Sequence, residues 1–288
     1  MKEVRRIAEI ITPETTSDGA GVTLKRGLGT AKLNYLDPFL LFDHFGSSNP
    51  DEYIAGFPMH PHRGIETVTY MLKGLIKHKD SSGNEGVLGE GDVQWMTAGS
   101  GIMHEEMPQM EEGKMEGFQL WVNLPAKNKM MRPRYQEFKS AEVPVVTAKD
   151  GAVIKVLAGE VDETKGLVKD IEANPTYIDV TLEGGVDFAK SIPKGHSVFA
   201  YVFEGAAEFG GNDTDEATLV EAPRLVVFKD GDLVKIKASE RVARFLLVSG
   251  QPLGEPIARY GPFVMNTREE IQQALTDLQT GAFVKSYE

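Results

Sequence analysis

At 288 residues the chain is long enough for two domains of ordinary size, each with its own core. It contains no cysteine, which excludes disulfides, thiolate nucleophiles, Cys-ligated zinc and iron–sulfur clusters, so any metal must be held by N and O ligands. The formal charge of −12 repels phosphate backbones and disfavours direct nucleic-acid binding.

In chain order, the N-terminal Met1-Lys2-Glu3-Val4-Arg5-Arg6 lacks the apolar stretch of a signal peptide. No later segment offers the ~18 apolar residues of a membrane span, so the expected location is cytoplasmic. The first segment with evident chemistry is His60-Pro61-His62, answered downstream by His104-Glu105-Glu106. Side chains two residues apart on an extended strand share one face, so each pair aims two ligating groups at one point. Three of the six histidines fall in these two clusters. Three imidazoles and one carboxylate, from His60, His62, His104 and Glu106, make a metal site with open positions for a substrate oxygen and O2. Glu66 lies four residues after His62 and has the parity to be a rival carboxylate, whereas Glu105 points away from Glu106.

Most of the remaining elements read as short strands. Glu66 to Leu72 is rich in β-branched and aromatic residues and ends at the turn signal Lys73-Gly74. Gly117 to Val122, Val153 to Leu157, Val198 to Phe203 and Arg244 to Val248 have the same character. Between the first two of these, Leu124-Pro125 through Pro133 interrupts the β pattern with prolines and basic residues. The basic run Lys127 to Arg134 reads as a solvated linker, which sets the expected division at 1–130 and 131–288. One helix is expected near the end, where Thr267 and Glu270 have capping-box spacing and Ile271, Ala274, Leu275 and Leu278 recur at helical intervals before Gly281. Many short strands and one terminal helix predict an all-β chain of two β-barrels, with the helix on the second domain.

An internal repeat supports two modules. Tyr70 to Gly74 is followed by Gly91-Asp92, and Tyr201 to Gly205 is followed by Gly231-Asp232. Counting from these turns sets His60 and His62 opposite Ser191 and Pro193, and His104 and Glu106 opposite Arg244 and Leu246. On this count the second module keeps the scaffold without the ligands, and its His196 has no role.

Phe57 to Val68 (FPMHPHRGIETV) and Gly91 to Pro108 (GDVQWMTAGSGIMHEEMP) resemble the signatures of the pirin family, in the cupin superfamily. The resemblance extends to Leu36 to Asp43, Leu120 to Pro125 and Gly261 to Thr267, and so covers nearly the whole chain. It implies a bicupin of two double-stranded β-helix barrels with one divalent transition metal, Fe2+, in the N-terminal barrel. The family's ligand positions fall on His60, His62, His104 and Glu106, leaving Glu66 a supporting residue. The resemblance also implies a quercetin 2,3-dioxygenase-type activity on a flavonol with O2, in which Glu106 is both ligand and base. Its alternative is a metal-dependent regulatory or redox-sensing protein acting through a protein partner.

Overall fold

The computed structural model describes residues 2–109, 113–212 and 215–287. Two compact units emerge, one of Glu14–Ala141 with Leu253–Glu288 and the other of Met1–Pro13 with Glu142–Pro252. The all-β architecture expected from the sequence is present, with a single α-helix, Arg268–Thr280, among the described residues. No described helix is long and apolar enough to cross a membrane.

The division differs from 1–130 and 131–288, because strand pairing rather than chain position decides membership. Arg134–Phe138 pairs with Val93–Thr97 and so closes the edge of the first unit's sheet. The helix also belongs to the first unit, where Ile271 and Ala274 pack with Phe263, Met265 and Phe283. Its ends follow the sequence signals: Thr267 and Glu270 form the capping box, and Gly281 stops the helix in the left-handed conformation. Leu278, expected on the packed face, is 38% exposed.

The basic run is not a solvated linker either. Lys129 is buried, and its ammonium donates to Gly64 O, Asn123 Oδ1 and Val264 O at 2.7–2.9 Å. Three converging acceptors replace the water that a buried cation loses. This side chain therefore ties the turn after His62 to the returning C-terminal segment.

In the first unit a seven-stranded antiparallel sheet runs Arg134–Phe138, Val93–Thr97, Ile65–Lys73, Met115–Asn123, Phe39–Ser47, Val22–Leu28, Glu14–Asp18. A four-stranded sheet runs Phe57–His62, Ile102–Gln109, Leu75–Asp80, Glu85–Leu88. The second unit repeats this plan. Its four-stranded sheet contains Leu233–Ala238, where Val234, Ile236 and Ala238 point inward and Lys235 and Lys237 outward. Its interior is apolar, with Phe188, Phe209 and Phe245 packed against Ile236. Each such buried side chain contributes about 1.5–3 kcal/mol.

Topology also corrects the repeat count. The strand Ala243–Gly250 lies between Thr176–Leu182 and Ser197–Glu204, as Met115–Asn123 lies between Phe39–Ser47 and Ile65–Lys73. The counterpart of the His104 strand is therefore Leu233–Ala238, not the strand of Arg244 and Leu246. Gly91-Asp92 and Gly231-Asp232 lead into non-equivalent strands, and the count slipped by one strand. Where the first unit turns His104 and Glu106 inward, the second turns Val234, Ile236 and Ala238.

Candidate metal centre

Phe57–His62 and Ile102–Gln109 pair antiparallel, with His104 opposite His60 and Ile102 opposite His62. Alternation along Ile102–Gln109 buries Ile102, His104, Glu106 and Pro108, while Met103, Glu105 and Met107 are half-buried. A bulge after His104 leaves Glu106 opposite Phe57. The sequence-expected imidazoles thus meet inside the barrel. Their ring centroids lie 4.3 Å (His60 to His104), 4.9 Å (His60 to His62) and 5.0 Å (His62 to His104) apart.

The donor atoms fit a metal. His60 Nδ1 stands 2.9 Å from Pro58 O, a donor role that leaves Nε2 with its lone pair, and that Nε2 is 3.1 Å from His62 Nε2. Two adjacent nitrogens bound to one ion at about 2.1 Å would stand about 3.0 Å apart. Both ring nitrogens of buried His104 lack a hydrogen-bond partner. Burial drives His62 and His104 well below the ordinary imidazole value, and neighbouring imidazoles lower them further. Both rings are therefore neutral at pH 7, the form that donates to a cation.

His60, His62 and His104 each bring one donor atom within 4.8 Å of the others. Glu106 joins through a second group of the same spacing, His78, His104 and Glu106. The Glu106 carboxylate oxygen Oε1 lies 2.9 Å from the Thr69 hydroxyl, which is also 2.7 Å from Gln119 Oε1. Glu66 stands apart from both groups. Its Oε1 accepts from the Thr97 hydroxyl at 2.7 Å, and it does not line the cavity. The reason is Gly64, whose φ of +79° separates the strand ending at His62 from the one starting at Ile65, so parity counted from His62 does not carry to Glu66.

His60, His62 and Glu106 open onto a cavity of about 500 Å3, walled by Leu41, Phe57 and Trp121. That volume is in the range of about 300–1,000 Å3 in which proteins hold small organic ligands. The indole of Trp121 meets His62 edge-on at 5.0 Å, and the Arg259 guanidinium lies 5.0 Å from its ring centroid. Asp43, also on the wall, is held by Arg26 through bonds of 2.8 and 2.7 Å, yet burial pushes it up to about 6.

Two features escape a reading of the sequence pairs. Arg259, Gly261 and Pro262 reach the cavity from the C-terminal segment, which no local pattern announces. His78 had a signal: Ile76, His78 and Asp80 alternate inward on Leu75–Asp80 while Lys77 and Lys79 point out.

Comparison with known proteins agrees with this architecture. The family model described as "Pirin" matches residues 21–122, and that described as "Pirin C-terminal cupin domain" matches residues 177–284. A Pseudomonas aeruginosa protein named "Putative quercetin 2,3-dioxygenase" is 46% identical over 285 residues, covering 98% of this chain and 99% of its own. Pirin of Homo sapiens is 41% identical over 282 residues, covering 97% and 94%. The crystal structure of quercetin 2,3-dioxygenase from Acinetobacter baumannii superposes with a TM-score of 0.87 at 35% identity, covering 97% of this chain and 98% of that one. With both family models and full-length relatives matched, the chain belongs to the pirin family, and its two units are the barrels of a bicupin.

Proposed function

We propose that this protein is a metal-dependent dioxygenase that cleaves quercetin or a related flavonol with O2, with His60, His62, His104 and Glu106 as ligands of one divalent ion, Fe2+ in the cell. The observation that carries this reading is the convergence of His60, His62 and His104, their donor atoms within 4.8 Å of one another, beside a cavity that His60, His62 and Glu106 line. When bound, the ion supplies Lewis acidity and brings the two reactants together. The protein does the rest. Trp121, Phe57 and Leu41 clasp a planar aromatic ligand, Arg259 offers its cation to the electron-rich rings, and Glu106 accepts the proton of the flavonol 3-hydroxyl while Thr69 steadies its carboxylate. Ring opening by one O2 releases one carbon monoxide. The absence of cysteine and of a long apolar segment supports a cytoplasmic setting.

The test is O2 uptake and carbon monoxide release by metal-loaded protein given quercetin, with His62→Ala as the inactive control. If fully loaded wild-type protein consumes no O2 with any of several flavonols, the dioxygenase reading fails. A metal-dependent regulatory role through a protein partner then takes its place.

The carboxylate assignment has its own check. Glu106→Gln is expected to lower metal affinity about tenfold or more and to abolish the reaction, because an amide is a poorer ligand and no base. Glu66→Gln should change metal affinity less than about twofold, its contact being with Thr97. Competition with a coloured chelator measures both, and the reverse order would move the ligand role to Glu66.

A further inference from the structure

We propose that His78 is an additional protein ligand of this metal centre, donating from the barrel interior to an ion held by His104 and Glu106. The inference rests on the metal reading above and adds a residue to it. His78 sits on Leu75–Asp80 directly across from Glu106, on the strand flanking Ile102–Gln109 opposite to Phe57–His62. His104 and Glu106 therefore have donor-bearing strands on both sides, His60 and His62 on one and His78 on the other.

Four observations converge on His78. Its donor atom lies within 4.8 Å of those of His104 and Glu106. The side chain is wholly buried, and neither ring nitrogen has a hydrogen-bond partner. With only the Asp80 carboxylate nearby, beyond hydrogen-bond distance, the ring regains little for the water it loses, a cost that a coordinated ion removes. The ring is fixed against Tyr135, centroids 4.9 Å apart and planes 22° from parallel, and meets His104 at 5.4 Å.

The fourth observation is a carboxylate beside the ring. Asp80 Oδ2 is 3.7 Å from His78 Nε2, and that carboxylate is itself set by the backbone N–H groups of Ser82 and Asn84 and by the Asn84 amide. A carboxylate beside a ligating imidazole is the usual partner that orients the ring and raises its basicity. His78 thus has the burial, the neighbours and the support of a ligand, in a strand that a reading limited to His60, His62, His104 and Glu106 leaves idle. A further protein donor would leave fewer positions for exogenous ligands on an ion held here, so His78 would bear on how many reactants the centre admits at once.

Two measurements test this. Wild-type apoprotein loaded with one equivalent of Cu2+ is expected to show four coordinated imidazoles by pulsed EPR, those of His60, His62, His104 and His78. Three would overturn the proposal while leaving the four-ligand reading intact. In chelator competition with Co2+, His78→Ala should weaken binding about tenfold or more and shift the Co2+ d–d bands. Weaker binding with unchanged bands would mean a structural role and would also overturn it. The Cu2+ measurement needs no variant, so a misfolded His78→Ala does not blunt the test. Wild-type protein that binds neither ion would overturn this proposal together with the reading on which it rests.

Discussion

Replacing His104 by Ala is expected to remove the metal, lower flavonol-dependent O2 uptake at least about a thousandfold, and leave the apoprotein as stable as wild type to within about 1 kcal/mol. The first two effects follow from its position, since among the described residues His104 is shared by both donor groups. The third follows from its surroundings. His104 is fully buried with both ring nitrogens unpartnered, so truncation loses packing but also removes an uncompensated polar group. Ligand linkage makes the contrast measurable: metal at about 100 times its Kd stabilises wild-type protein by about 2.7 kcal/mol. Thermal scans with and without metal should therefore show an upward shift in wild type and none in His104→Ala. An equal metal-induced shift in both proteins would show that the ion binds elsewhere.

A large loss of stability is expected from Gly64→Ala. A Cβ at this position would lie 2.0 Å from the Val264 carbonyl oxygen, and φ is +79°, where a side chain is strained. Val264 belongs to the C-terminal strand Phe263–Met265, tied to the turn after His62 by the bond from Val264 N to Arg63 O at 3.1 Å and by Lys129, which donates to the carbonyls of both Gly64 and Val264. Relief of the clash must push that strand away, breaking the Lys129 node and shifting Pro262 and Arg259 from the cavity. We expect a loss of about 3 kcal/mol or more in the first unit, a fall of its melting temperature by roughly 6–12 °C, and a raised KM for the flavonol. Gly83→Ala is the control, since Gly83 has φ +89° but open space around a Cβ, and it should cost only about 1 kcal/mol. Equal losses for the two variants would leave backbone strain as the whole cause and remove the role assigned to the Val264 contact.

What the sequence determined by itself is what local periodicity carries. The period of two in His60-Pro61-His62 and in His104-Glu105-Glu106 was enough to put the three imidazoles and Glu106 inside a barrel, because alternation along a strand needs no knowledge of its neighbours. The capping box at Thr267 and Glu270 and the stop at Gly281 located the helix for the same reason. Which strands pair was not local, and there the tertiary structure decided. Arg134–Phe138 completes the first sheet and the C-terminal segment returns to the first unit because their hydrogen bonds and apolar faces find partners there, not because of their place in the chain. Lys129 looks like surface charge until Gly64, Asn123 and Val264 converge on it. His78 looks like one histidine between lysines until strand pairing sets it across from Glu106. The alternation that turns His78 inward was legible in the sequence, but its closeness to His104 and Glu106 depends on a register between strands more than twenty residues apart, which only the folded sheet defines.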